Sequence, residues 1–298
     1  MNFTRSLCLL TLLAIAPAAG AKEGLKIYIS ADMEGVVGAV TAEQLGPEGF
    51  EYERFRKFMT AEVNAAIAAA RAAGAAEILV SDSHGNGQNL LIEELPNDVK
   101  IVRSWPRELG MMQGINETFD GVIFIGYHSS TTNTRGVRAH TMSSANITGL
   151  KLNGISMSEG SMNAAIAGHF GVPVIMVSGD DAAVAENQAV IGDLEGAVVK
   201  WAESFHSATT LTPEAAYEVI ASATRSAIER IDRFKPFVLD TPIKIELSLK
   251  HYQPVEMLAY LPGFERMDSH TIGYTAKDII EVSKVLGFVL DYRVDLQP

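Results

Sequence analysis

Short apolar runs alternate with amphipathic segments along the first two thirds of the chain, and this pattern predicts strands between helices. Strands are expected at residues 26–31, 77–81, 99–103, 121–126 and 173–177. Helices are expected at residues 51–73, 108–115 and 158–169. The dipeptide Asn153-Gly154, between apolar residues, predicts a tight hairpin turn. Such alternation is typical of an α/β fold with a mostly parallel sheet and helices on both faces.

After residue 181 the pattern changes. A long amphipathic helix is expected at residues 213–234, with Thr212 as its N-cap and Pro213 in its first position. A strand at 243–249, a helix at 275–288 and a strand at 289–294 should follow. We therefore predict an α/β domain at residues 22–205 and a smaller C-terminal α+β domain at residues 206–298.

The first 21 residues have the pattern of a secretory signal peptide. Arg5 is their only charge, residues 7–16 are apolar, and Ala19-Gly20-Ala21 fits a cleavage site. A retained membrane anchor is the competing interpretation, but the apolar stretch is too short to span a bilayer. The sequence thus predicts an exported protein, periplasmic or secreted, that is free of the membrane after cleavage.

Composition narrows the function classes. The 298 residues are 47% hydrophobic and carry a formal net charge of −12, which argues against nucleic acid or an anionic membrane as partner. The single cysteine, Cys8, lies inside the predicted signal peptide. Any zinc in the mature chain would therefore have to be bound by histidine, aspartate and glutamate.

Two acidic residues follow the first predicted strand. Asp32 and Glu34 are two positions apart, so in an extended backbone their carboxylates point to the same face. Neighbouring like charges raise each other's proton affinity unless a cation compensates them. The pair therefore indicates either a metal site or general acid–base chemistry.

Further candidate residues follow other predicted strands and lie in the next helix. His84 and His128 come just after strands, Glu159 opens the helix at 158–169, and His140 lies in the polar segment between. In open α/β sheets the carboxyl ends of the strands form the ligand-binding edge. Each residue also has a structural interpretation, as a turn former, a buried histidine or a helix-dipole partner. Together, three carboxylates and two imidazoles suit Zn²⁺ without thiolates, and suffice for two ions if one carboxylate bridges.

The order and spacing of these motifs resemble the D-aminopeptidase family of dizinc metallopeptidases, over most of the mature chain. The motifs are Ser30-Ala-Asp-Met-Glu-Gly35, Ser81-Asp-Ser-His84, Gly126-Tyr-His128, Ala139-His140-Thr-Met142, Glu159 ahead of an Asn163-containing helix, and Gly179-Asp-Asp181. The resemblance implies two Zn²⁺ ions per subunit, a ring-like homo-oligomer, and removal of N-terminal D-amino acids from short peptides or amides. It also assigns roles to six residues: Asp32, Glu34, His84, His128 and Glu159 as metal ligands, with Asp32 as the bridge, and His140 as the catalytic histidine.

The expected reaction is hydrolysis in which zinc polarises the scissile carbonyl and activates water, while His140 moves a proton to the leaving amine. An exopeptidase must also recognise the free α-amino group, for which Asp180 or Glu34 is a candidate. Two other functions stay open at this point. One is a dinuclear hydrolase acting on another bond, such as an amidase or phosphoesterase. The other is an exported zinc-binding protein without catalytic activity.

Overall fold

The computed structural model describes residues 24–293, so the predicted signal peptide and residue 294 lie outside the described residues. The strands are β1 (Leu25–Ala31), β2 (Ala75–Asp82), β3 (Lys100–Val102), β4 (Gly121–Tyr127), β5 (Ile147–Leu152), β6 (Ile155–Ser156), β7 (Val174–Asp180), β8 (Glu195–Ser204), β9 (Ser207–Thr210), β10 (Ile243–Leu249), β11 (Phe264–Arg266) and β12 (Thr271–Ala276). The helices are α1 (Tyr52–Ala72), α2 (Glu159–His169), α3 (Asp181–Ile191), α4 (Pro213–Glu229), α5 (Tyr252–Leu258) and α6 (Ile279–Asp291). Within residues 24–293, no helix combines the length and the apolar character needed to cross a membrane.

Seven strands form the main sheet, in the order β3-β2-β1-β4-β7-β8-β9. All neighbouring strands from β3 to β8 are parallel, and only the β8–β9 hairpin is antiparallel. Ile29 of β1 pairs with Val80 of β2 on one side and with Ile123 of β4 on the other. The carboxyl ends of β1, β2, β4 and β7 therefore lie along one edge, which confirms the predicted parallel arrangement.

The main sheet is covered on both faces, because its strands are apolar at successive positions. Ile27 and Ile29 pack in a core with residues of α1 and α4, whereas Tyr28 packs on the other side with residues of α2 and the second sheet. β4 and β7 are buried along their whole length. Burial of the central strands on both faces fixes the ends of β1 and β4, where the polar residues follow.

The second sheet is antiparallel, in the order β11-β12-β10-β5-β6. The predicted turn at Asn153-Gly154 joins β5 to β6, and both residues have positive φ angles, 50° and 79°. This combination is the one that a type I′ hairpin turn requires, and asparagine followed by glycine adopts it readily. Ser158 caps α2 as predicted, by accepting a hydrogen bond from the backbone N–H of Ser161.

Segments from both sides of the predicted domain boundary take part in both sheets. β5 and β6 precede residue 205 but belong to the second sheet, whereas β9 and α4 follow it and pack on the main sheet or on α1. The sheets therefore do not divide the chain at residue 205, and the division into two domains stays a prediction.

Four boundary predictions were wrong. The helix predicted at 275–288 begins at Ile279, because residues 275 and 276 belong to β12, where Ala276 pairs with Ile243 of β10. Residues 289–291, which were predicted to begin a strand, instead form the last turn of α6, which ends at Asp291. The helix at 213–234 ends at Glu229, with a short 3-10 turn after it at Ile231–Arg233. The helix at 108–115 is reduced to a 3-10 turn at Gly110–Met112.

Candidate metal centre

The candidate residues converge where three neighbouring parallel strands end. Asp32 directly follows β1, His84 lies two residues beyond β2, and His128 directly follows β4. Since β1 lies between β2 and β4, the Asp32 carboxylate reaches both imidazoles. Glu159 enters from the first turn of α2, and its side chain is almost completely buried.

A close approach of two backbone segments positions Asp32 and Glu34. The backbone N–H of Asp32 donates to Ile125 O over 2.8 Å, and that of Gly35 donates to Gly126 O over 2.7 Å. At Gly35 a Cβ atom would lie 2.1 Å from Tyr127 O, so no other residue fits without a shift of the backbone. Gly126 has a φ of +70°, and a Cβ there would lie 2.3 Å from Asp32 O. Both glycines are therefore needed to bring the segment after β1 against β4.

The two oxygens of Asp32 face different imidazoles. Oδ1 is 3.1 Å from His84 Nδ1, and Oδ2 is 3.3 Å from His128 Nε2. His84 Nδ1 is also 2.9 Å from Glu34 Oε2, and His128 Nε2 is 3.3 Å from Glu159 Oε1. The arrangement is thus two imidazole–carboxylate pairs, His84 with Glu34 and His128 with Glu159, that share the carboxylate of Asp32.

Backbone carbonyls set the tautomer of each imidazole. His84 Nε2 lies 2.6 Å from Leu45 O, and His128 Nδ1 lies 3.0 Å from Ser129 O. A carbonyl oxygen only accepts hydrogen bonds, so each of these nitrogens carries the proton. The other ring nitrogen of a neutral imidazole then directs a lone pair at the carboxylates, as is usual for histidine ligands of metals. Lone pair and carboxylate repel each other unless a proton or a metal ion lies between them.

His140 lies beside this group, at a greater distance from the carboxylates. Its Nδ1 donates to Arg138 O over 2.8 Å, which leaves the lone pair on Nε2. Nε2 is 3.7 Å from Glu159 Oε1 and 3.9 Å from Glu34 Oε1. The ring stacks on that of His128 with centroids 4.0 Å apart, and its side chain is 12% exposed, more than those of the five other residues. His140 is therefore the group of this cluster that a molecule from solvent reaches first.

The segment that carries His140 is held in a conformation unfavourable for its residues. Arg138 and Met142 have positive φ angles of 55° and 59°, which residues other than glycine rarely adopt. The carboxylate of Asp180 accepts from Val137 N, and Glu159 Oε1 accepts from Met142 N over 2.6 Å. Hydrogen bonds from the site therefore hold the backbone on both sides of His140, and such bonds allow strained residues to persist at functional sites.

The buried charges perturb one another strongly. Burial raises the pKa of Asp32, and the neighbouring Glu34 carboxylate raises it further. Burial alone would lower the pKa of His128, but the carboxylates of Glu159 and Asp32 hold it well above its usual range. The pKa of His84 is likewise well above its usual range, because Glu34 and Asp32 outweigh the effect of burial. The three buried carboxylates therefore favour positive charge between them, either as a cation or as protons on His84 and His128.

The same residues fit zinc. Asp32 Oδ2, Glu34 Oε2 and His128 Nε2 are buried without a hydrogen-bond partner among residues 24–293, and unpaired atoms of this kind are rare in folded proteins. Ligand atoms about 2.0–2.1 Å from one tetrahedral ion lie roughly 3.3 Å apart. The contacts of Asp32, Glu34 and Glu159 with His84 and His128, at 2.9–3.3 Å, are close to this separation, whereas the His140 contacts are longer. Two sets of residues have donor atoms within 4.8 Å of one another: Asp32, Glu34 and His128, and His128, His140 and Glu159.

Sequence and structure comparisons with known proteins identify the family of this chain. The sequence profile of a family described as D-aminopeptidase matches residues 25–288. The chain belongs to the D-aminopeptidase family. A D-aminopeptidase of Bacillus subtilis (strain 168) is 33% identical over 267 residues, which are 88% of this chain and 95% of that relative.

The same relationship is visible in three dimensions. A solved structure, described as a Zn-dependent D-aminopeptidase DppA from Bacillus subtilis and a self-compartmentalizing protease, matches with a TM-score of 0.86. It is 30% identical in sequence, and the match covers 92% of this chain and all of that chain. The predicted family, the fold class and the assignment to the aminopeptidases are thereby confirmed.

The structure brings all six predicted site residues together, and it also shows a buried neighbour that the sequence did not indicate. Lys200 of β8 is completely buried beside the segment that follows Asp32. Asp180, a candidate for binding the substrate amine, instead uses its carboxylate oxygens to accept from Val137 N and Ala183 N. Asp180 thus caps the N-terminus of α3 and also binds the backbone of the segment that carries His140.

Proposed function

We propose that this chain is a zinc aminopeptidase that removes N-terminal residues, preferentially D-amino acids, from short peptides or amides. Asp32, Glu34, His84, His128 and Glu159 would hold two zinc ions, with Asp32 shared between them. The observation that carries this proposal is the pair of contacts of Asp32, whose Oδ1 faces His84 and whose Oδ2 faces His128. The preference for D-residues rests on the description of the relatives as D-aminopeptidases.

Zinc bound here would polarise the scissile carbonyl and lower the pKa of water to about 7. The residues of the chain supply the rest of the reaction. His140 Nε2 carries a lone pair because Nδ1 donates to Arg138 O, so the neutral ring accepts a proton at Nε2 and can return it to the leaving amine. Stacking on His128 keeps this nitrogen next to the carboxylate cluster.

Graded loss of zinc and activity tests the roles of these residues. Asp32→Ala and His128→Ala should abolish both bound zinc and hydrolysis, whereas His140→Ala should abolish hydrolysis and keep the zinc content of the wild type. The measurements are metal content by elemental analysis and turnover of paired D- and L-aminoacyl anilides, with and without chelator. Full activity of the His140 variant would exclude its catalytic role, and loss of zinc in that variant would make it a ligand. Hydrolysis that a chelator leaves unchanged would refute the metallopeptidase assignment.

We also propose a homo-oligomer with restricted access to its sites, since the solved relative is described as self-compartmentalizing. Light scattering on the purified chain tests this, because a monomeric mass at working concentration would contradict it. Export rests on the pattern of residues 1–21, and the N-terminal sequence of the mature protein recovered from a periplasmic fraction would test it.

A further inference from the structure

Lys200 is completely buried, which is unusual for lysine. It lies in β8 where the register with β7 skips one residue: Gly179 pairs with Val198, and Asp180 pairs with Lys200. An extra residue in one strand, here Val199, forms a bulge that changes the direction of the following side chain. The bulge therefore accounts for a lysine in the interior of a strand that otherwise buries valine and alanine.

The ammonium group of Lys200 binds the backbone that follows the Asp32–Glu34 pair. Its Nζ donates to Glu34 O over 2.5 Å, to Val36 O over 3.0 Å and to Ala39 O over 2.5 Å. An ammonium has three donors, so all of them are used on this one segment. The carbonyl of Glu34, a proposed zinc ligand, is among the acceptors.

A second buried ionisable side chain, that of Glu62, also binds this segment. Val37 N donates to Glu62 Oε1 of α1 over 2.8 Å. Residues 34–39 form turns outside any strand ladder, and Gly35 N donates to Gly126 O of β4. The side chains of Lys200 and Glu62 add further hydrogen bonds that hold this backbone in place. Burial lowers the pKa of Lys200 to about 8, and the carboxylates of Asp180 and Glu62 act against this shift and favour the ammonium form.

We propose that Lys200 is a positioning residue of the metal centre, which fixes the turn at residues 34–39 and thereby the Glu34 carboxylate. The inference rests on the proposed function, because it takes Asp32 and Glu34 as zinc ligands. Without the ammonium, three buried carbonyls lose a hydrogen bond, and of these Val36 O keeps the N–H of Ala39. The turn must then rearrange to satisfy the carbonyls of Glu34 and Ala39. Partners outside the ligand set of a metal site commonly change its affinity by about 10–100-fold when they are removed.

The test compares Lys200→Met with Leu286→Ala in the full chain at pH 7. Methionine keeps the length of the side chain and removes its donors, whereas Leu286 is fully buried in α6, far along the chain from the ligand segment. Zinc affinity is measured by competition with a fluorescent chelator, and thermal unfolding of the zinc-free proteins gives their stability. Hydrogen exchange at Gly35 and Val37 reports the order of the turn directly. Lys200→Gln serves the same comparison if the methionine variant does not fold.

We expect Lys200→Met to bind zinc at least tenfold more weakly and to exchange the Gly35 and Val37 amides faster. Leu286→Ala should lose stability and keep the zinc affinity of the wild type. Zinc affinity of Lys200→Met within twofold of the wild type, or an equal loss in Leu286→Ala, would overturn the inference. Asp32→Ala distinguishes failure of the proposed metal site from failure of the positioning role of Lys200. If Asp32→Ala still binds zinc like the wild type, the proposed metal site is wrong. If Asp32→Ala loses zinc while Lys200→Met does not, only the positioning role is wrong.

Discussion

Replacement of Gly35 by alanine tests how closely the metal centre depends on the contact between two backbone segments. Gly35 lies one residue beyond Glu34 and donates its N–H to Gly126 O over 2.7 Å. An added Cβ would lie 2.1 Å from Tyr127 O and 2.4 Å from the carbonyl carbon of Gly126. Both atoms belong to the backbone, so neither can rotate away as a side chain would.

The expected size of the effect follows from these distances. Non-bonded heavy atoms are at their optimum about 3.5–4.0 Å apart, so the two segments must separate by about 1 Å or more to admit the methyl group. Overpacking of this kind destabilises a folded protein by about 1–3 kcal/mol. A misplacement of about 1 Å at a reacting group can reduce the rate by about 10²-fold. Glu34 moves with Gly35, so zinc affinity should fall together with activity.

Folding stability is measured by urea denaturation of the zinc-free protein, zinc affinity by competition with a chelator, and activity by turnover of aminoacyl anilides. Gly287→Ala is the matched control, because Gly287 lies in α6 with no heavy atom within 4 Å of an added Cβ. It should stabilise the protein by about 0.5–1 kcal/mol, since alanine is favoured over glycine inside a helix. A Gly35→Ala variant with both the zinc affinity and the stability of the wild type would show that the metal centre does not depend on this backbone contact.

Three further predictions concern the site and its supports. Asp180→Asn leaves either Val137 N–H or Ala183 N–H without an acceptor. The variant should lose about 1–3 kcal/mol of folding stability and have a lower kcat at unchanged zinc content. An unchanged kcat would contradict the supporting role of Asp180. Burial raises the pKa of Glu62 from 4.5 to about 8, so its contribution to stability falls as the pH rises from about 4.5 to about 8. In urea denaturation at pH 6 and pH 8, Glu62→Gln should therefore gain stability over the wild type as the pH rises, by up to about 1.4 kcal/mol per unit, and a constant difference would argue against the shift. Chelation should lower the melting midpoint of the wild type and leave that of Asp32→Ala unchanged, because zinc stabilises only the state that binds it, and equal decreases would place the ion elsewhere.

The strand-end residues were predictable because their positions depend on local patterns. β1, β2 and β4 are apolar runs that end in Asp32, His84 and His128, and a parallel sheet places such ends along one edge. Glu159 and His140 are different, because no periodicity connects them to that edge. Glu159 entered the candidate set as an acid in the first turn of a helix, and the catalytic role of His140 came from the resemblance to the family. The structure supplies their contacts through the capped start of α2 and the strained segment at residues 138–142.

The positions of Lys200 and of β5 could not be predicted from the sequence. Lys200 is preceded by Val198-Val199 and followed by exposed Trp201, a pattern that indicates a lysine on a solvated face. Only the skipped register at Val199 buries it, and a bulge has no signal in a single sequence. β5 pairs with β10 across almost a hundred residues, so its sheet depends on long-range packing that hydrophobic alternation does not encode.

Two structural features position the groups of this metal centre: the ends of buried strands and the backbone carbonyls of irregular segments. The ligand positions are set mainly by the ends of buried strands, whose removal would unfold the protein. The orientation of the imidazoles is set by carbonyls of irregular segments, from Leu45 for His84, Ser129 for His128 and Arg138 for His140. A change in one of these segments can therefore alter a tautomer, and with it the direction of a lone pair, while the sheet stays intact. For that reason, variation within residues 129–142 should change metal affinity and proton transfer more readily than it changes the stability of the fold.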